Sequence, residues 1–98
     1  MTDPVHAHAA VATPSASRYL TQLCKHFAHK ITVDYDETSG RAEFSWGTCQ
    51  LSAIDGTLHL HLTAAGPEGL GRIKAVVEDH LVRFGWREAL SVEWTDAA

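Results

Sequence analysis

Hydrophobic positions recur along this chain at two spacings. From Thr13 to Lys30 (TPSASRYLTQLCKHFAHK) the residues Ala16, Leu20, Leu23 and Phe27 fall at i, i+4, i+7 and i+11. At about 100° per residue they share one arc of a helix, and that arc must face a core. Thr13 can cap the helix by accepting from a first-turn amide, and Pro14 suits the first helical position, where a missing N–H costs nothing. Tyr19 and Cys24 flank the stripe and are expected to be half-buried. A second helical stripe, Leu70, Ile73, Val77, Leu81 and Phe84, opens after Gly66-Pro67 and closes at Gly85, which suits a C-terminal cap.

Elsewhere the spacing is two. Val5, Ala7, Ala9 and Val11 alternate with His6, His8 and Ala10, and Ile31, Val33 and Tyr35 alternate with Thr32 and Asp34. Arg41–Trp46 places Ala42, Phe44 and Trp46 on one face, and Cys49–Ile54 follows a short turn at Gly47-Thr48. Asp55-Gly56 is a strong hairpin signal, because both central positions of a type I′ turn want positive φ. Thr57–Thr63 puts Leu58, Leu60 and Leu62 inward with His59 and His61 outward, and Leu90, Val92 and Trp94 alternate in a last short strand. The order β-α-β-β-β-β-α-β predicts an α+β fold, a two-layer sandwich with two helices on one face of a mainly antiparallel sheet. The 98 residues make a single domain with one core, residues 1–4 being expected as a disordered tail.

Charge changes this picture in one place. The chain carries a net charge of −4, which argues against a general nucleic-acid binder. Yet Thr13–Lys30 holds no acidic residue, and Arg18, Gln22, Lys25 and His29 form the stripe opposite the apolar one. Lys25, His29 and Lys30 complement the negative end of the helix dipole, which explains the last turn but not Arg18 near the positive end. The alternatives are a solvated face and a face that binds an anionic small molecule or an acidic partner protein. His80, at the edge of the second helical stripe, is either a structural group or a pH-sensing or ligand contact beside Arg83. Arg83 itself is placed i, i+4 from Asp79 for a minor ion pair.

Seven histidines and two cysteines supply the remaining chemistry. His6 with His8, and His59 with His61, are i and i+2 on strands, so each pair can offer two imidazoles to one divalent metal. Were the first and fifth strands neighbours, all four would converge; exposed strand histidines are the competing explanation. Cys24 and His26 diverge by about 160° on a helix and cannot share one ion. Cys24 and Cys49 are too few for a disulfide framework, and they fit small core residues better than nucleophiles. A thiol pair across the helix–sheet interface is the form that a redox role would take. No Gly-rich phosphate loop, serine elbow or carboxylate pair supports an enzyme. No run is apolar enough to cross a membrane, and the N-terminus lacks a basic start and an apolar signal segment, so a cytoplasmic protein is expected.

The blocks RYLTQLCKHFAHK, WGTC and EDHLVRFGWREALSVEW, in that order, resemble a bacterial family known only as domain of unknown function 2218. Where a family block carries Trp after the Lys-His pair, this chain has Phe27. Members of that family stand alone or are fused to siderophore-interacting, flavin-dependent ferric reductases, so the resemblance implies a link to iron handling and assigns no catalytic residue. The sequence therefore points to a small binding module using Arg18, Gln22, Lys25, His29, His80 and Arg83, with no enzymatic role supported. The alternative is a metal-binding or thiol-redox protein using its His and Cys residues.

Overall fold

Residues 3–97 are described in the computed structural model, and their elements follow the expected order. They are β1 (Val5–Ala12), α1 (Ala16–Phe27), β2 (Thr32–Tyr35), β3 (Ser39–Phe44), β4 (Gly47–Ile54), β5 (Thr57–Ala64), α2 (Pro67–Phe84) and β6 (Thr95–Ala97), with a 3-10 turn over Trp86–Glu88. The sheet runs β2-β3-β4-β5-β1-β6, and every neighbouring pair is antiparallel. β2 to β5 form the expected meander. Its β4–β5 turn is Asp55-Gly56, with φ of 48° and 71°, the positive pair that a type I′ turn requires. Gly47, at φ 148°, opens β4 where a Cβ would stand 2.1 Å from the Thr63 carbonyl oxygen, so only glycine fits there.

Both helices lie on one face. The strands present Leu58, Leu60, Leu62, Leu51, Cys49 and Ala42 to that side, all essentially without exposure. α1 leaves β1, near one edge, and crosses to β2 at the other. It therefore packs over β2, β3, β4 and β5, while α2 covers β4, β5 and β1. Ala16, Leu20, Leu23 and Phe27 are buried as the spacing predicts, and so are Tyr19 and Cys24, which fill the flanks completely rather than by half. The opposite face of the sheet is polar and holds His6, His8, Gln50, Ser52, His59, His61 and Thr63.

Three expectations need correction. α1 starts at Ala16 with Ser15 as N-cap, so Pro14 precedes the cap instead of opening the helix. Thr13 is drawn elsewhere: its Oγ1 accepts from the Ser15 N–H at 3.1 Å and donates to Glu88 Oε1 at 2.7 Å. α1 also ends at Phe27, so His29 and Lys30 fall in the turn beyond it and not on the helical stripe. The last strand is Thr95–Ala97, paired with His6–His8, and not Leu90–Trp94. Leu90, Val92 and Trp94 instead tuck partly buried against the core from an irregular segment. Of the expected tail, residues 1 and 2 lie outside the described residues, while Asp3 and Pro4 are exposed ahead of β1.

Candidate functional site

The end of α1, the middle of α2 and the β3–β4 turn enclose an apolar recess of about 470 Å³. Phe27 is the last residue of α1's core stripe and Phe44 the last of β3, so both stripes run past the covered sheet and meet at its end. Their rings pack edge-to-face at 5.3 Å, and Trp46 stacks beyond Phe44 with planes 7° apart and centroids at 6.1 Å. Ile31 and Val76 complete the apolar lining. The volume and lining suit a small ligand with a flat apolar body.

The polar groups come from four residues. His80 projects from α2, its Nδ1 2.7 Å from the Val76 carbonyl oxygen, an acceptor; Nδ1 therefore carries a hydrogen and Nε2 is left for the recess. His26, from α1, lies with its ring 4.5 Å from that of His80. Desolvation first, and then the positive charge of His80, His29 and Lys30, hold the His26 pKa below its ordinary value. His29 and Lys30 reach the rim from the turn after α1. The site is an apolar slot with one permanent cation and three imidazoles, and it carries no carboxylate, thiol or hydroxyl side chain.

Of the six residues that the sequence nominated for ligand binding, His29 and His80 are brought together here. Arg18, Gln22 and Lys25 lie exposed on the outer face of α1, away from any recess, and among the described residues neither Arg18 nor Lys25 has a carboxylate within 4 Å. Arg83 is taken up by Asp79 at 3.4 Å in the expected helical pair. His26, Lys30, Phe44 and Trp46 were not foreseen. Phe44 and Trp46 read as core because they alternate on a strand, and only the register shows that Trp46 sits in the β3–β4 turn itself, against the start of α2, with Arg72 of that helix over its ring.

A second depression, about 560 Å³, is a broad, more polar trough along β2, β3 and β4, lined by Asp34, Asp36 and Arg41 with Tyr35 and Leu51 beside them. The four strand histidines do become neighbours, because β1 pairs with β5: His8 faces His61, and His6 Nδ1 lies 3.4 Å from His61 Nε2. Among the described residues no three His, Cys, Asp or Glu side chains yet stand close enough to hold an ion. Cys24 and Cys49 are both buried, and burial pushes the Cys24 thiol up to about 11 and that of Cys49 higher still.

No match is found among curated proteins. The NMR structure of PA4090 from Pseudomonas aeruginosa resembles this fold with a TM-score of 0.73 and 32% sequence identity, over 97% of this chain and 96% of that one. The model of a family described as an uncharacterized protein conserved in bacteria (DUF2218) matches residues 8–95, a span that contains both helices and the whole recess. The chain belongs to that family.

Proposed function

We propose that this protein is a cytoplasmic binding module without catalytic activity, and that it takes a small anionic molecule with a flat apolar body into the recess at the end of α1. The observation that carries this is the recess itself: aromatic walls from Phe27, Phe44 and Trp46 under a rim of Lys30 and imidazoles. Aromatic walls supply the burial, and a cation in a partly desolvated mouth supplies the charge selection. The exposed stripe of Arg18, Gln22 and Lys25 adds a positive field on the same helix but no shape that would select a partner. The resemblance to domains fused to siderophore-interacting reductases makes aryl-bearing iron chelates the first natural ligands to try.

The test is a titration of the protein with simple aryl carboxylates and their uncharged amides, followed by backbone and Trp46 Nε1 NMR shifts. Saturable shifts confined to the recess, stronger for the acid than the amide and weakened tenfold or more by Lys30→Glu, are expected. Shifts absent up to millimolar ligand, or unaltered in Lys30→Glu and Trp46→Ala, would end the proposal.

A further inference from the structure

The sheet has a second, independent cluster on the face away from the helices. β1 lies between β5 and β6, so His8 has His61 directly across one side and Thr95 across the other. His6 stands two residues along the same strand, opposite Thr63 and diagonal to His61; His59 is diagonal to His8 on the far side, opposite Ala10. Directly opposed Cβ atoms on antiparallel strands are about 5 Å apart, and the diagonal ones about 7–8 Å, so the four imidazoles form a zigzag within reach of one another.

We infer that His6, His8 and His61 form a binding site for a divalent transition metal of the zinc class, with His59 as a fourth ligand. Two residues i and i+2 on one strand plus one across from them present three nitrogens to a common point above the sheet. The closest pair is already spaced for it. His6 Nδ1 and His61 Nε2 are 3.4 Å apart, and two imidazole nitrogens at about 2.1 Å from one tetrahedral ion are about 3.4 Å apart. His8 is exposed, and rotation of its side chain would carry its imidazole toward the His6–His61 pair. Thr63 Oγ1, 3.1 Å from His6 Nδ1, orients that ring and would give up its contact to the ion. The all-nitrogen donor set favours zinc, copper, nickel or cobalt over calcium and magnesium, which take oxygen ligands. This site shares no residue with the recess, so either can fail alone.

The test uses protein purified without an affinity tag. Calorimetric titration with zinc chloride at neutral pH, and with cobalt(II) followed by its visible absorption, is expected to show one ion per chain and a tetrahedral cobalt spectrum. His8→Gln and His61→Gln should each weaken binding at least tenfold, His59→Gln less than His61→Gln, and His26→Gln not at all. Circular dichroism of the metal-free variants controls for folding, the substituted side chains lying on the open face. No saturable binding below millimolar metal would overturn the inference. So would unchanged affinity in His61→Gln, a larger loss in His59→Gln than in His61→Gln, or a ratio of one ion per two chains, which would place the ligands on separate copies.

Discussion

Glu88 accepts the Tyr19 hydroxyl across 69 residues of sequence. The same carboxylate takes the Thr13 hydroxyl at 2.7 Å, so the turn after α2 is fastened to both the entrance and the second turn of α1. Thr13 is the one buried polar residue among those described, and its backbone N–H is occupied too, donating to the Gly56 carbonyl at 3.0 Å. This clamp ties the start of α1, whose N-cap Ser15 makes no side-chain capping bond, to the turn that leads into the segment of Leu90, Val92 and Trp94.

The clamp sets a pH signature. Tyr19's hydroxyl, and then Thr13's, hold the Glu88 carboxyl below the ordinary carboxylate range, while Glu88 raises the Tyr19 phenol, with burial adding to it. A depressed acid contributes stability above its unfolded pKa, about 4.3, and loses it as pH falls through the folded value. A raised phenol contributes below its unfolded pKa, about 10, and loses it as pH rises through the folded value. Glu88→Gln is expected to melt below wild type at pH 6–9, the gap closing under about pH 4 and again above about pH 10. Melting curves across that range check it; a gap independent of pH would mean that Glu88 acts by packing alone.

At Gly40 the side chains of α1 press directly on the sheet backbone. A Cβ there would stand 2.7 Å from Cys24 Sγ and 3.2 Å from the Tyr35 Cβ. Gly40→Ala is expected to cost about 1–3 kcal/mol by overpacking. Cys24→Ala removes the sulfur, so adding Gly40→Ala to it should cost much less than Gly40→Ala alone. Denaturant melts of the four members of the cycle measure the coupling, and strict additivity would place the strain elsewhere.

The two thiols are expected to be silent in the folded protein. Cys49 has no exposure, Cys24 none either, and both are protonated at neutral pH because burial disfavours the thiolate. An aromatic disulfide reagent at pH 8 should label neither within the time that labels both in denaturant. Rapid labelling of the native chain would revive the redox alternative and show that α1 lifts from β4.

The spacing-two and spacing-four stripes carried nearly the whole fold, because each inward position had a helix or strand to meet. The boundaries at Thr13, Phe27 and Thr95 did not follow from them. Those depend on partners distant in sequence: Glu88 draws Thr13 out of the cap position, and His6–His8 offer an open edge that only Thr95–Ala97 reaches. Of the residues lining the candidate site, the sequence nominated His29 and His80 but neither His26 nor the walls. Phe27, Phe44 and Trp46 obey core periodicity, and nothing in a periodic pattern marks where the covering layer stops. Arg18 and Lys25 have no carboxylate within 4 Å among the described residues, although the charge of Arg18 still helps to hold the Glu88 carboxyl down, and the recess forms one turn further on, where His29 and Lys30 leave the helix.

His26 links that recess to pH, and the sign can be worked out. Its folded pKa lies below the unfolded value of about 6.5, so the unfolded chain binds more protons between the two and stability falls as pH drops through that window. An anion bound beside Lys30 reverses the balance, since an opposite charge favours the imidazolium. Binding then takes up a proton, and the affinity for an aryl carboxylate must rise as pH falls toward the free protein's His26 value and level off below it. His26→Gln should flatten that rise and also remove its share of the acid-side loss of stability in the ligand-free protein. The two readouts come from one group, so they must move together: titrations and melts at matched pH values test this. A pH-dependent affinity that survives His26→Gln unchanged would take the proton uptake, and with it the anion, away from His26.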